Sequence, residues 1–316
     1  MVVETPYVWN QDDPGVRTAA LGNRQKAVLD VLGLHREPVY SRAMSYEREL
    51  EVALQAAREA GAAVRRFYEI GTEHWEKSED NPLTQADLES DRIISRHLRE
   101  SFPDDGLLSE ETLDDPSRVA KRRVWIVDPM DGTKEFTKKI PEFCVSIGLV
   151  EDGEPVLGVI YNPVADVAVW ATKGGGTFRQ GEPVHVSGCG ELSEAIVIAS
   201  RTEISRNKFE GHRDWFKEIQ PVGSIAWKLA CIASGEGDLN VSMAPKNEWD
   251  VCAGDLLVRE AGGVYVDFDG ATRTYNQADP LIEAFMAAGP ANLVDQFRAK
   301  EKARADASAK PVPEPR

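Results

Sequence analysis

The segment from Arg123 to Phe136, Arg-Val-Trp-Ile-Val-Asp-Pro-Met-Asp-Gly-Thr-Lys-Glu-Phe, constrains the fold more than any other stretch of this 316-residue chain. It begins with an apolar run, residues 124–127, whose β-branched and aromatic side chains predict a buried strand. The run leads directly into two carboxylates, Asp128 and Asp131. Pro129 lies between them, and because proline has no N–H and a fixed φ, we expect the chain to turn there.

The residues around this turn offer ligands for both a cation and an anion. The carbonyl of Met130 has no obvious backbone partner, and two carboxylates with a bare carbonyl form a hard-oxygen site of the kind that Mg²⁺ prefers. If a helix begins at Gly132 and Thr133, their N–H groups point outward and can bind a phosphate oxygen. An ordinary surface turn is the alternative, because Asp and Gly also serve turn geometry.

Two further acidic elements favour the metal site. The short apolar segment 107–109 ends in Glu110 and Glu111, and adjacent acids repel one another unless a cation lies between them. Asp250 leads into a helix, where it could also be an ordinary cap. Clustered carboxylates are unfavourable without cations. Two or more Mg²⁺ ions, roughly 3.5–4 Å apart, could activate a water for phosphate-ester hydrolysis. The four acids in question are Glu110, Asp128, Asp131 and Asp250.

Composition excludes several classes of protein. Hydrophobic residues make up 42% and charged residues 28%, as in ordinary globular proteins. The net charge of −16 argues against a nucleic-acid polymer or an anionic membrane as partner. No apolar run approaches the length of a membrane span, and no secretory signal is visible. The four cysteines are scattered without a C-x-x-C motif, which predicts reduced thiols in a cytoplasmic protein.

Alternating helices and strands place the chain in the α/β class with mixed sheets. Apolar spacing predicts a helix over 45–69, and residues 143–150 and 156–161 predict an antiparallel hairpin. We therefore expect mixed sheets covered by helices. Thr84 and Asp87 have the spacing of a helix capping box, and we interpret Asp87 as structural.

Three motifs together resemble those of the inositol monophosphatase superfamily, a Mg²⁺-dependent, lithium-sensitive group of phosphatases. They are Ser109-Glu110-Glu111, the segment from Trp125 to Thr133, and the segment from Trp249 to Gly254. The resemblance implies a layered α/β/α/β/α sandwich over residues 45–290. Its metal-rich half would span about 45–185 and its C-terminal half about 186–290. Residues 1–44 would be an accessory extension, and residues 291–316 a partly disordered tail.

The resemblance also implies a role for each matching residue. Two or three Mg²⁺ ions would be held by Glu110, Asp128, the Met130 carbonyl, Asp131 and Asp250. Catalysis would depend on Glu79, Glu110, Asp131 and Thr133; the Thr133 hydroxyl would orient the attacking water, and Glu79 would partner this threonine and touch a third metal. The substrate would contact Asp131, Gly132, Thr133, Ser224, Lys228 and Asp250.

The residues after the central motif indicate a branch of the superfamily. Thr133-Lys134-Glu135-Phe136 resembles the 3'(2'),5'-bisphosphate nucleotidases of the CysQ type, which remove the 3'-phosphate from adenosine 3',5'-bisphosphate, a by-product of sulfate assimilation. The alternatives are an inositol-1-phosphate or sugar-phosphate phosphatase (fructose 1,6-bisphosphate, histidinol phosphate) and a non-catalytic metal-binding relative. A basic residue that met a second phosphate would favour the nucleotide, and Lys228 and Arg201 are candidates. The expected partner is a small phosphorylated molecule, and the sequence does not decide whether the chain forms a homodimer.

Overall fold

The computed structural model describes residues 46–78 and 81–308. The N-terminal elements are α1 (Glu47–Ile70), β1 (His74–Ser78), β2 (Asn81–Thr84), α2 (Gln85–Ser101), β3 (Gly106–Ser109), β4 (Arg123–Asp131), α3 (Thr133–Thr137), β5 (Cys144–Glu151), β6 (Glu154–Asn162), β7 (Val167–Thr172), β8 (Gly176–Arg179) and β9 (Glu182–Val184). The C-terminal elements are β10 (Ile196–Ala199), α4 (Arg201–Ser205), β11 (Glu218–Pro221), α5 (Ile225–Ala233), β12 (Leu239–Ser242), β13 (Lys246–Asn247), α6 (Glu248–Glu260), β14 (Val264–Asp267), β15 (Leu281–Ile282), β16 (Met286–Gly289) and α7 (Ala291–Ser308). Short 3-10 helices lie at Pro116–Ala120, Leu192–Glu194 and Glu210–Trp215.

The first large sheet contains seven strands in the order β3-β4-β5-β6-β7-β8-β9. Its β3–β4 pair is parallel and the other pairs are antiparallel. Helices α1 and α2 cover one face, and α1 contributes a stripe of buried alanines, including Ala53, Ala57 and Ala60. Because these side chains are small, the helix can pack closely on the apolar strands, whose Trp125 and Leu157 side chains are almost fully buried.

Helix α6 packs on the opposite face of the same sheet, and two glycines permit its close approach. A Cβ atom at Gly158 would lie 2.7 Å from the carbonyl oxygen of Ala253. A Cβ atom at Gly148 would lie 2.8 Å from Sγ of Cys252. The contact holds α6 against the middle of the sheet, so that its first turn, which carries Asp250, comes close to the end of β4.

A second sheet, in the order β11-β10-β12-β16-β14, lies beyond α5 and α6. Strand β10 is parallel to both neighbours, whereas β16 is antiparallel to β12 and β14. Helix α7 covers the far face, with Leu293, Val294 and Phe297 fully buried. The prediction of a layered α/β/α/β/α sandwich with mixed sheets is confirmed. Residues 291–308, predicted to belong to a partly disordered tail, form α7, whose first half packs on the sheet. Residues 1–44 and 309–316 lie outside the described residues.

The predicted turn at Pro129 is wrong, and the structure shows the reason. Strand β4 continues as far as Asp131, with a bulge that changes its register against β5 between Asp128 and Asp131. A bulge leaves residues without a ladder partner, so it accommodates the missing N–H of proline without ending the strand. Oδ1 of Asp128 accepts a hydrogen bond from the Met130 N–H across the bulge at 2.9 Å.

Candidate active site

Three of the predicted metal ligands converge from three different elements. Glu110 follows β3, Asp128 lies in β4, and Asp250 lies in the first turn of α6. One carboxylate oxygen from each lies within 4.8 Å of the other two. Asp128 is 2% exposed, and the other two side chains are half-buried. The parallel pairing of β3 with β4 brings the C-terminal ends of these two strands side by side. The packing of α6 on the sheet then places its first turn next to them, which explains the convergence.

The carboxylates in this cluster repel one another. Burial, followed by the charges of Glu110, Asp131 and Asp250, raises the pKa of Asp128 well above its usual value. Burial, together with the charge of Asp131, likewise raises the pKa of Asp250 well above its usual value. Several buried carboxylates are stable together only when they are protonated or when cations neutralise them. Their hard oxygen donors fit divalent cations such as Mg²⁺.

Asp131 is held in a fixed orientation beside the cluster. Its Oδ2 atom accepts hydrogen bonds from Oγ of Ser224 and from the Ala226 N–H, both at 2.6 Å. Burial raises the pKa of Asp131, and these two hydrogen bonds, with the charge of Lys228, oppose that rise. None of the described residues hydrogen-bonds to Oδ1 of Asp131, so this oxygen can bind a cation.

Thr133 lies at the start of α3 and contacts Asp87, a residue that was predicted only as a helix cap. Gly132 caps this helix with φ of +101°, and Oγ1 of Thr133 lies 2.9 Å from Oδ1 of Asp87 and 3.1 Å from the Met130 carbonyl oxygen. The hydroxyl therefore donates its single proton to one of these two acceptors. Oδ2 of Asp87 accepts hydrogen bonds from the N–H and Oγ1 of Thr84, both at 2.7 Å. The predicted capping box is confirmed, but Asp87 also reaches the site.

Glu79, the predicted partner of Thr133, lies outside the described residues. Its role in catalysis and at a third metal therefore stays a prediction. Among the described residues, the carboxylate bonded to the Thr133 hydroxyl is that of Asp87.

A cavity of about 460 Å³ opens beside these groups. All six predicted substrate-binding residues line it, and they are Asp131, Gly132, Thr133, Ser224, Lys228 and Asp250. The Ser224 hydroxyl is already used, because it donates to Asp131 and accepts from the Trp227 N–H at 2.9 Å. The Lys228 ammonium donates to the carbonyls of Val222 and Ser224 at 3.3 and 3.0 Å.

Arg201, the other basic residue considered for a second phosphate, is used elsewhere. Its guanidinium forms two hydrogen bonds with the carboxylate of Glu142, at 2.7 and 3.1 Å. The same carboxylate accepts a hydrogen bond from the Gly223 N–H at 2.7 Å. Arg201 therefore joins the start of α4 to the segments around Glu142 and Gly223, and we withdraw it as a ligand of the substrate.

Comparison with known proteins identifies the family. Residues 45–302 match the sequence model of the inositol monophosphatase family. The chain belongs to the inositol monophosphatase family. Among curated relatives, inositol monophosphatase 2 of Solanum lycopersicum is 35% identical over 267 residues, covering 79% of this chain and 97% of the relative. The 3'(2'),5'-bisphosphate nucleotidase CysQ of Salmonella typhimurium is 33% identical over 239 residues, covering 74% of this chain and 96% of the relative.

Solved structures of the inositol monophosphatase family agree with this fold. An IMPase of Thermotoga maritima superposes with a TM-score of 0.72 at 27% identity, covering 83% of this chain and 99% of that chain. As a member of this metal-dependent family, the protein is a phosphatase that acts on small phosphorylated substrates. Within residues 46–78 and 81–308, no helix combines the length and the apolarity needed to cross a bilayer.

Proposed function

We propose that the protein is a Mg²⁺-dependent phosphomonoesterase that hydrolyses the 3'-phosphate of adenosine 3',5'-bisphosphate to give AMP and phosphate. The observation that carries the reaction is the convergence of oxygens from Glu110, Asp128 and Asp250 within 4.8 Å of one another. The choice of nucleotide is supported by Thr133-Lys134-Glu135-Phe136, which resembles the CysQ type, and by the similarity to the Salmonella CysQ protein.

The carboxylate cluster would hold the cations. The proposed ligands of two or three Mg²⁺ ions are Glu110, Asp128, the Met130 carbonyl, Asp131 and Asp250. When bound, these ions supply an activated water and neutralise charge on the phosphate. Ser224 and the Ala226 N–H hydrogen-bond to Oδ2 of Asp131, which would leave its Oδ1 atom to bind a cation.

Thr133 and its neighbours would position the reactants. Because the Thr133 hydroxyl donates its single proton to Asp87 or to the Met130 carbonyl, its oxygen lone pairs remain able to accept a hydrogen bond from the attacking water. That hydrogen bond would direct the lone pair of the water toward phosphorus. The N–H groups of Gly132 and Thr133 would bind phosphate oxygens at the start of α3. Glu79 is proposed as a second acidic partner of this threonine.

The proposal includes a location and a metabolic role for the protein. The four cysteines are free thiols, as expected in a reducing compartment, and we expect the protein to act in the cytoplasm. Hydrolysis of adenosine 3',5'-bisphosphate would place it in sulfur metabolism, and we expect inhibition by lithium. The 35% identity to the tomato inositol monophosphatase favours a second candidate substrate, inositol 1-phosphate.

A panel of phosphomonoesters separates these candidates. Phosphate release would be measured with Mg²⁺ for adenosine 3',5'-bisphosphate, inositol 1-phosphate, fructose 1,6-bisphosphate and histidinol phosphate. We expect the highest kcat/KM for the nucleotide. A higher value for inositol 1-phosphate would replace the proposed substrate and keep the metal site, and release from none of them would contradict the proposed activity.

A further inference from the structure

The cavity carries a group of basic side chains in addition to the carboxylate cluster. Lys208, Lys228 and Lys246 all line it. Burial raises the pKa of Glu203, and the charges of these three lysines oppose that rise, which places Glu203 near all of them. Lys208 is exposed, whereas Lys228 and Lys246 are only 3% and 5% exposed. These three ammonium groups lie in the same cavity as the carboxylates of Glu135 and Glu203, and they are groups there that can bind an anion.

The hydrogen bonds of the two buried lysines are incomplete. The Lys246 ammonium donates to the carbonyls of Ala244 and Ala284 at 2.9 and 3.4 Å, and Lys228 also donates to two carbonyls. An ammonium has three N–H donors, so each has one donor left. Neither forms an ion pair with a carboxylate of the described residues. Burial lowers the pKa of Lys246 to about 8, which an anionic ligand would reverse.

The three lysines differ in the carboxylates that lie nearest to them. The largest opposing charge on Lys228 is that of Asp131, which places Lys228 beside the carboxylates and the phosphate to be hydrolysed. For Lys246 the charge that most opposes the lowering of its pKa is that of Glu203, followed by that of Asp250. Glu203 accepts a hydrogen bond from the Met243 N–H at 2.5 Å, which fixes it in place among these lysines. The ammonium of Lys208 makes no hydrogen bond to the described residues.

We propose that Lys208 and Lys246 bind a second phosphate of the substrate, one that is not hydrolysed. The inference rests on the proposed function: the 5'-phosphate of adenosine 3',5'-bisphosphate is such a group, whereas inositol 1-phosphate has none. Lysine ammonium groups bind phosphate as point charges and add a hydrogen bond, and the desolvated position of Lys246 strengthens both effects. The second phosphate could belong to a nucleotide or to a sugar, because its chemistry is the same in both.

The test uses matched pairs of substrates that differ only in the second phosphate. They are adenosine 3'-monophosphate with adenosine 3',5'-bisphosphate, and fructose 1-phosphate with fructose 1,6-bisphosphate. For at least one pair we expect the wild-type protein to show a KM about tenfold lower for the bisphosphate, which corresponds to the strength of one charge-assisted contact. The pair that shows this difference identifies whether a nucleotide or a sugar carries the phosphate.

Two variants assign the effect to the lysines. Lys208→Gln and Lys246→Met should each remove most of the advantage of the bisphosphate, while kcat/KM for the monophosphate changes by less than about twofold. Lys217→Gln is the matched control, because Lys217 is an exposed lysine that does not line the cavity, and it should leave both values unchanged. Lys208 is exposed, so its variant tests the proposal even if Lys246→Met fails to fold.

The outcomes separate this inference from the proposed function. Phosphate release with no preference for the bisphosphate in either pair would overturn the inference and leave the phosphatase standing. Equal losses on the monophosphate and the bisphosphate in both variants would also overturn it, because the lysines would then act on the reacting phosphate or on the fold. Release from no ester at all would instead contradict the proposed function.

Discussion

The hydroxyl of Thr133 lies 2.9 Å from Oδ1 of Asp87, while Oδ2 of the same carboxylate caps α2 through the N–H of Thr84. Asp87 is therefore held on both sides, by the helix that it caps and by the residue that it orients. A side chain whose position is fixed by packing and capping can orient a hydroxyl without a large entropic cost during the reaction. The orientation of the Thr133 hydroxyl therefore depends on the stability of α2.

Replacement of Thr133 tests this arrangement. Thr133→Ala should lower kcat by about 10²- to 10⁴-fold, because it removes the hydroxyl that accepts a hydrogen bond from the attacking water and so orients it, and should change the affinity for Mg²⁺ little. Thr133→Ser keeps the hydroxyl and should restore most of the rate. Steady-state kinetics over a range of Mg²⁺ concentrations would measure both quantities, and an unchanged kcat in Thr133→Ala would show that the hydroxyl is structural.

Replacement of Asp131 should separate activity from stability. Asp131→Asn should abolish phosphate release because it removes a proposed ligand of the cations. The free energy of unfolding in EDTA should stay the same or rise, because one of several repelling buried carboxylates is gone. Urea unfolding and a phosphate assay would measure the two effects. Asp214→Asn, which removes an exposed carboxylate, is the control, and wild-type turnover by Asp131→Asn would contradict the proposed site.

The stability of the metal-free protein should depend on pH. The folded-state pKa values of Asp128 and Asp250 lie well above 3.8, so the unfolded chain releases these protons first and stability falls as the pH rises above that value. Asp255, whose pKa is raised to about 6, contributes with the same sign but only up to about that pH. Lys246, whose pKa is lowered to about 8, contributes with the opposite sign and only at higher pH.

Thermal unfolding in EDTA from about pH 5 to about pH 7.5 therefore reports the carboxylates whose pKa values burial raises. These include Glu135, Glu203 and Glu248 as well as the cluster. We expect Tm to fall over this range in EDTA. Saturating Mg²⁺ should raise Tm and flatten the dependence, since cations favour the ionised carboxylates. A Tm in EDTA that does not change over this range would contradict the raised pKa values.

A pair of glycine variants tests the start of α3. Gly132 and Gly174 both have positive φ, +101° and +77°, so alanine is strained at either position. At Gly132 the added Cβ would lie 2.9 Å from the Glu142 carbonyl oxygen, whereas at Gly174 no atom lies within 4 Å. Gly174→Ala should cost about 1 kcal/mol, and Gly132→Ala about 2–4 kcal/mol with loss of activity. Equal costs in urea unfolding would show that the backbone at Gly132 relaxes.

Part of the site was predicted from residues that lie close together in the chain, whereas Glu110 and Asp250 were joined to it by the charge argument and by the motifs of the resembled family. A buried strand followed by Asp128 and Asp131 is visible in consecutive residues, and Gly132 and Thr133 follow at once. Asp87 was missed because capping α2 accounts fully for an acid at that spacing, and its contact with Thr133, 46 residues away, depends on the packing of α2 against β4. Nothing in the local pattern reports that packing.

The structure differs from the sequence-based predictions at Pro129 and at Arg201 for a similar reason. The bulge at Pro129 depends on the pairing of β4 with β5, which only the folded sheet supplies. Arg201 is a reasonable phosphate ligand by residue type, but Glu142, 59 residues away, forms an ion pair with it in the structure. In both cases the outcome is set by a partner that is distant in sequence, whereas the prediction used only neighbouring residues.

Phosphate release from adenosine 3',5'-bisphosphate by one preparation, first in EDTA and then after addition of Mg²⁺, tests the central claim most directly. We predict no release in EDTA and full activity with Mg²⁺. The Asp128→Asn variant, assayed beside it, should be inactive in both conditions because the buried centre of the cluster is altered. Equal release with and without Mg²⁺ would contradict the account, because the carboxylates would then have no part in the reaction.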